Sequence, residues 1–183
     1  MAEQEMKQGI ICYRSKYGAA KQYAMWLQEA LHYDCKELKH MDIQVMKSYE
    51  TIILCGGIYA SGIKGLSFLK KHFDELKDKR IAVFCVGASP YDEQALADIK
   101  KVNFKDQLMN IPLFYGRGAW DESKMTFVDR KLCRMLQKAI AKKDANTYEP
   151  WMKALMEARG QSVDWCDRQY LQPLIAYLNQ PQK

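Results

Sequence analysis

Short apolar runs rich in β-branched and aromatic residues alternate along this chain with longer segments that repeat apolar residues at helical spacing. Four runs are clear, at residues 10–13, 51–55, 81–86 and 111–115, and a weaker run lies near 35–38. Their apolarity is continuous rather than alternating, as strands covered on both faces require. Glycines directly follow two of the runs, which favours strands over buried helix. The pattern therefore predicts an α/β protein with a five-stranded parallel sheet and helices on both faces.

The segments between the strands carry apolar residues at i, i+3, i+4 and i+7, which places them on one face of a helix. Two helices are predicted to face the core through Ala20, Tyr23, Ala24, Leu27, Leu31, Leu66, Leu69, Phe73 and Leu76. Asp92 is predicted to cap a helix that runs to about Phe104, with Leu96 and Ile99 inward. Residues 42–47 suggest a short further helix. Another apolar stripe marks a later helix, through Val128, Leu132, Met135, Leu136, Ala139 and Ile140.

A row of basic residues lies on the face of that later helix opposite its apolar stripe. The row consists of Arg130, Arg134, Lys138 and Lys142, and Asp129 is the only acidic residue between Lys124 and Lys143. Such a row is either a solvated face or a docking surface for an acidic protein or for anionic lipid headgroups.

The strand signal stops past Lys143. Residues 165–178 are apolar and aromatic enough to dock on the sheet layers, and Gly160 separates them from a short amphipathic stripe. About 40 residues rarely fold alone. We therefore expect one domain over 1–183, with a core at about 7–143 and a C-terminal helical extension at about 144–183.

Composition and charge narrow the class of protein. The 48% hydrophobic content is that of an ordinary globular protein, and the formal net charge of +6 favours anionic partners without requiring nucleic acid. The six cysteines form no C-x-x-C pair, which favours reduced thiols in a cytoplasmic protein over zinc or disulfides. The N-terminus lacks a signal pattern, and no apolar stretch approaches the ~20 residues that span a bilayer. Surface or capping roles are favoured over metal binding or acid–base chemistry for His32, His40 and His72.

Three segments that follow predicted strands combine glycines with hydroxyl or aromatic side chains, at 14–20, 56–63 and 87–91. In open parallel sheets, ligands bind beyond the carboxyl ends of the strands where the strand order reverses. These three turns are therefore expected to converge on one site.

The first turn leads into a helix, whose N-terminal N–H groups attract an anion. Ser15 supplies a hydroxyl, Lys16 or Arg14 supplies charge, and Gly18 lets the backbone come close. The alternative is a plain β–α turn whose basic side chains are solvated.

The run Tyr-Arg-Ser-Lys-Tyr-Gly-Ala-Ala at 13–20 resembles the phosphate loop of flavodoxins. With Gly-Gly-Ile-Tyr-Ala-Ser-Gly at 56–62 and Val-Gly-Ala-Ser-Pro at 86–90, it resembles the flavodoxin-domain group that includes the flavodoxin-like protoporphyrinogen oxidases. The likeness in element order covers about 7–143. It implies a doubly wound sheet in the order 2-1-3-4-5 and a flavin mononucleotide, FMN, whose phosphate lies in the first turn and whose ring lies between the other two.

The resemblance also implies roles for single residues. Tyr59 would stack on the flavin ring, and Gly57 and Gly62 would permit positive φ. The third turn would lie along the pyrimidine edge of the ring, while Tyr91 would cover the other face or pack at a helix start. The implied cofactor-binding residues are Ser15, Lys16, Tyr17, Gly18, Ala19, Ala20, Gly57, Ile58, Tyr59, Ala60, Gly62, Gly87, Ala88, Ser89 and Tyr91.

The sequence departs from the flavodoxin pattern in the first turn. Ala20 stands where flavodoxins usually carry a threonine that meets the phosphate, and Lys16 and Tyr17 replace two further hydroxyl residues of the threonine type. Each lost hydroxyl removes a hydrogen bond to a charged acceptor worth ~1.5–3 kcal/mol. We therefore expect a weakly held flavin unless the backbone and Lys16 compensate. Trp120 would either reach the flavin rim or a substrate, or serve packing.

These observations favour an FMN-binding redox protein that passes electrons between the flavin and a partner protein or small substrate, because no side chain stands out as an obligatory acid or base. The second hypothesis is a protoporphyrinogen or quinone oxidoreductase of the flavodoxin-like type. It ranks lower because the last strand continues directly into helix, without the added membrane-associated segment of the protoporphyrinogen-oxidising members. The third is an interaction module that retains the scaffold without the flavin.

Overall fold

The computed structural model describes residues 7–181. The strands are β1 (Lys7–Arg14), β2 (Asp34–Glu37), β3 (Tyr49–Tyr59), β4 (Gly62–Ile63), β5 (Arg80–Gly87), β6 (Leu113–Arg117), β7 (Ala119–Asp121) and β8 (Ser162–Asp164). The helices are α1 (Ala19–Leu31), α2 (Ile43–Lys47), α3 (Leu66–Lys71), α4 (Phe73–Leu76), α5 (Glu93–Asn103), α6 (Phe127–Ile140), α7 (Pro150–Glu157) and α8 (Gln172–Leu178).

Five parallel strands form the central sheet in the order β2-β1-β3-β5-β6, and β4 pairs antiparallel with β3. Counted over the five predicted strands, this is the order 2-1-3-4-5. The predicted α/β class and the doubly wound order are therefore confirmed. The order reverses between β1 and β3, so a crevice is expected beyond the carboxyl ends of those two strands.

The core consists of two apolar clusters, one on each face of the sheet. Successive residues of a strand point to opposite faces, so Ile10 and Leu54 lie in one cluster while Ile11 and Cys55 lie in the other. The first cluster packs against α3 and α4, and the second packs against α1. Burial on both faces explains why the strand sequences are continuously apolar.

Carboxylate caps begin two of the helices, and the cap at Asp92 confirms the prediction made from the sequence. The Asp92 carboxylate accepts a hydrogen bond from the Ala95 amide at 2.7 Å and begins α5, and the Asp42 carboxylate accepts from the Gln44 amide at 2.9 Å and begins α2. Each carboxylate satisfies an amide that the first helical turn leaves without a partner.

The orientation of α6 is the main departure from the sequence pattern. An amphipathic helix normally turns its apolar stripe to the core, yet the stripe residues Val128, Leu132, Met135 and Leu136 are exposed. The buried residues of α6 are Asp129, Gln137 and Ile140, of which only Ile140 belongs to the apolar stripe. Polar groups on the domain explain why the other two side chains lie inward, since the Gln137 amide donates to the Leu155 carbonyl at 3.2 Å and Asp129 meets three donors described below.

The C-terminal part contains a strand that the sequence pattern does not predict. β8 pairs antiparallel with β7, so the expectation of no strand past Lys143 was wrong. Both strands have three residues, too short for a recognisable period, and their pairing joins distant parts of the chain. Leu171 and Leu174 dock against α1 in the second core cluster, as predicted for 165–178. Within residues 7–181, no helix has both the length and the apolarity to cross a bilayer.

Candidate functional site

A cavity of about 190 Å³ lies beyond the carboxyl ends of β1, β3 and β5. All three glycine-containing turns contribute to its wall. The predicted residues that line it are Ser15, Lys16, Tyr17, Ala19, Ala20, Gly57, Ile58, Tyr59, Gly87 and Ala88. The turns therefore converge where the strand order reverses, which is the expected place for a ligand in this architecture.

The first turn presents the N-terminus of α1 to the cavity. Gly18 has φ +102°, a conformation that side chains rarely adopt, and its amide donates to the Ser15 Oγ at 3.0 Å. No side chain caps α1, so amides of its first turn remain available to an anion. Gly18 supports the turn and does not line the cavity, while Arg14 pairs with Glu37 at 3.5 Å. Lys16 is therefore the cation that this turn brings to the cavity.

The second turn is a hairpin that places Tyr59 at the rim. β3 continues to Tyr59 and reverses into β4 through Ala60 and Ser61, whose φ values are +48° and +64°. Gly57 and Gly62, which were expected to permit positive φ, do not adopt it here, because the chain reverses after Tyr59 and both glycines lie in extended strand. Ala60 and Gly62 do not line the cavity.

Gly57 has a different use. It lines the cavity, and a Cβ added to it would meet no atom within 4 Å. The missing side chain keeps this part of the wall open.

The third turn contributes only its first two predicted residues to the cavity. Gly87 lies beside the end of the neighbouring strand, where its carbonyl accepts from the Gly118 amide at 2.7 Å. Ser89 and Tyr91 do not line this cavity. The Ser89 carbonyl accepts from the Tyr115 hydroxyl at 2.5 Å, and Tyr91 lines a separate cavity of about 480 Å³. The structure therefore separates Tyr91 from the other predicted residues.

The segment that follows β6 supplies a further wall that the sequence prediction did not include as binding residues. Its lining residues are Gly118, Ala119, Trp120, Met125, Asp129 and Cys133, and Lys64 joins them from the second turn. Trp120 also packs on the small apolar cluster at the C-terminal end of α6. Its buried Nε1–H has no hydrogen-bond partner among the described residues. Asp129 was detectable in the sequence only as the single acid within a basic row.

Asp129 is 5% exposed and is the one carboxylate among the residues that line the cavity. It accepts hydrogen bonds from the Lys16 ammonium at 2.5 Å, from the Tyr59 hydroxyl at 2.8 Å and from the Tyr17 hydroxyl. These donors, Lys16 first, lower the pKa of Asp129 to about 2, and the same contact raises the pKa of Lys16. Asp129 is therefore ionised at neutral pH and joins α6 to the first two turns.

Lys16 and Lys64 each place an ammonium group 4.7 Å from the centre of the Tyr59 ring. A cation at this distance is attracted by the electron-rich face of the ring. The ring that was expected to stack on a flavin therefore faces two lysines in this arrangement.

The residues fit a flavin nucleotide in chemical type. The α1 N-terminus and Lys16 suit a phosphate, and Tyr59 and Trp120 suit an aromatic ring. The cavity volume of about 190 Å³ is below the ~300–1,000 Å³ of typical ligand sites. A flavin nucleotide would therefore need more room than this cavity offers.

The three histidines do not line the cavity, and His32 caps the C-terminus of α1 with φ +55°. Within residues 7–181, no group of three or more His, Cys, Asp or Glu side chains is placed to hold a metal ion.

A parallel sheet with this strand order and a cavity at its switch point defines a doubly wound α/β protein. The family model described as the flavodoxin domain matches residues 10–147, about three quarters of the chain. The chain therefore belongs to the flavodoxin domain family.

Solved structures of similar proteins include the Trp repressor binding protein of Bacillus subtilis, with 17% identity, coverage of 61% of this chain and 84% of that chain, and a TM-score of 0.47. A flavodoxin, WrbA-like protein of Agrobacterium tumefaciens has 15% identity, coverage of 83% and 97%, and a TM-score of 0.44. A Fusobacterium nucleatum flavodoxin variant bound to flavin mononucleotide has 15% identity, coverage of 59% and 68%, and a TM-score of 0.36. No curated protein matches the sequence.

Proposed function

We propose that this protein binds FMN in the cavity beyond β1, β3 and β5 and transfers electrons between the flavin and a partner protein or small substrate. The observation that carries the proposal is the convergence of all three turns on one cavity in a flavodoxin-domain chain. Lys16 and the α1 amides would hold the phosphate, and Tyr59 and Trp120 would hold the ring. FMN would supply the redox chemistry, while the protein supplies binding, orientation and exclusion of water.

Reconstitution with FMN tests this proposal. The loaded protein is expected to show an oxidised-flavin absorption spectrum that bleaches with dithionite. Ser15→Ala removes the hydroxyl that orders the first turn, and Tyr59→Ala removes the stacking face, so each variant should bind FMN more weakly. Leu136 lies on the exposed face of α6, and Leu136→Ala serves as the control. Unchanged affinity in both site variants would refute the proposed site, and a protein that refuses FMN would favour the interaction-module hypothesis.

The outer face of α6 supports a second part of the proposal, contact with an anionic membrane surface. Phe127 is 78% exposed, and this residue and Met135 share one surface with Arg130, Lys131, Arg134 and Lys138. Apolar side chains can enter the boundary of the acyl chains while basic side chains meet anionic headgroups. Sedimentation with anionic vesicles should capture the protein at low salt, and neutral vesicles should capture less. Equal capture by both would refute a headgroup contribution.

The same helix favours oxidation of protoporphyrinogen or reduction of a quinone as the second candidate function. Asp129 and Cys133 on the inner face of α6 line the cavity, so a helix that contacts the membrane would also border the proposed flavin site. Turnover of either substrate by the FMN-loaded protein would support this enzymatic version. Electron exchange with protein carriers and no turnover of either small substrate would support the carrier function.

We also infer a cytoplasmic location and a single domain that includes residues 144–183. All six cysteines lie within the described residues and are free thiols, which suits a reducing compartment. Leu171 and Leu174 belong to the same apolar cluster as α1, which supports one domain.

A further inference from the structure

Asp129 holds three parts of the cavity wall together. It projects from the first turn of α6, and its three donors come from the turn after β1 and from the end of β3. The partners are distant in sequence, since 113 residues separate Asp129 from Lys16 and 70 residues separate it from Tyr59. This contact is therefore a tertiary closure of the site.

The closure uses the groups that the proposed flavin would need. Lys16 is the basic residue from the first turn that lines the cavity, and its ammonium is engaged by Asp129 and lies over the Tyr59 ring. A bound phosphate would require this ammonium, and a stacked ring would require a face of Tyr59. An anionic phosphate and the Asp129 carboxylate would also repel each other if both remained close.

The N-terminal half of α6 is attached to the domain mainly through polar contacts. Its exposed residues include Phe127, Val128 and Leu132, and its one fully inward side chain is Asp129. The C-terminal half is anchored differently, because Gln137 bonds to the Leu155 carbonyl and Ile140 lies in an apolar cluster. Outward movement of the start of α6 would therefore break polar contacts and would uncover neither of the two main core clusters, which contain no residue of this helix.

We infer that Asp129 competes with the phosphate of a flavin nucleotide for Lys16, and that binding of the nucleotide releases the start of α6 from the site. The inference rests on the proposed function, which it deepens by assigning Asp129 as the residue that weakens binding of phosphorylated flavin relative to unphosphorylated flavin. Closure by Asp129 would also account for a cavity smaller than a typical ligand site.

The test compares FMN with riboflavin, which carries the same ring without the phosphate. Asp129→Asn keeps the size of the side chain and an oxygen acceptor for Tyr59, but it removes the charge that engages Lys16. We expect FMN to bind at least about tenfold more tightly to this variant, which corresponds to about 1.4 kcal/mol. Riboflavin affinity should change by less than about threefold. Fluorescence titration of each flavin gives both dissociation constants.

Asp144→Asn is the matched control, because Asp144 caps a short turn away from the cavity and asparagine caps equally well. It should leave both affinities unchanged. Equal effects of Asp129→Asn on FMN and riboflavin, or weaker binding of FMN, would overturn the inference.

A second variant tests the competition for Lys16 independently if Asp129→Asn disturbs the fold. Lys16→Met should weaken FMN binding, leave riboflavin binding nearly unchanged, and abolish the gain when combined with Asp129→Asn. A gain that persists without Lys16 would overturn the competition. If neither the parent protein nor any of these variants binds riboflavin or FMN, the proposed function itself fails and the inference fails with it. If both flavins bind but the variants do not discriminate between them, the inference alone fails.

Discussion

Replacing Phe127 and Met135 by serine removes two strongly exposed apolar side chains from the outer face of α6. Phe127 is 78% exposed and Met135 is 62% exposed. A fully buried side chain of this kind gains about 1.5–3 kcal/mol over an exposed one, so entry of the exposed parts into a membrane contributes at most about 2–4 kcal/mol for the pair. Loss of about 2 kcal/mol weakens membrane partitioning about thirtyfold.

The assay is sedimentation with vesicles that contain phosphatidylserine, over a series of lipid concentrations. The control changes Val102 and Met109 to serine, since these residues are 57% and 60% exposed but lie on and after α5. Both double variants should keep the parent's free energy of unfolding within about 0.5 kcal/mol. Partitioning of the α6 variant equal to that of the parent would refute the proposed apolar contact, as would a loss of the same size in the control.

Two further predictions concern the fold and the cavity. Tyr23→Phe should lower the free energy of unfolding, measured by urea denaturation, by about 1–3 kcal/mol, because the hydroxyl donates to the Arg117 carbonyl at 2.6 Å and accepts from the Asp167 amide at 3.1 Å. Tyr91→Phe is the exposed control, and an equal loss of stability in both variants would contradict the reasoning. Gly57→Val should fold normally, because a Cβ there meets open space, but should weaken FMN binding by filling the cavity. Gly62→Ala, outside the cavity, should leave affinity unchanged, and normal binding by Gly57→Val would place the flavin elsewhere.

Local sequence determined the elements and their order. The runs at 10–13, 51–55 and 81–86 lie within strands whose side chains alternate between two apolar clusters, and such strands must be apolar throughout. Asp92 fixed the start of α5 through a hydrogen bond to an amide only three residues further along the chain. Because the carboxyl ends of parallel strands meet at one edge, the order of elements also placed the three turns beside one cavity.

Only the tertiary structure decided which face of α6 turns inward. The period of the sequence defines an apolar stripe and a basic row, but which side chains of the helix are buried depends on partners supplied by distant segments. Asp129 is buried because Lys16, Tyr17 and Tyr59 converge on it, and the Leu155 carbonyl likewise holds Gln137 inward. A buried charge requires such partners, and their positions follow from how the chain packs rather than from any local pattern.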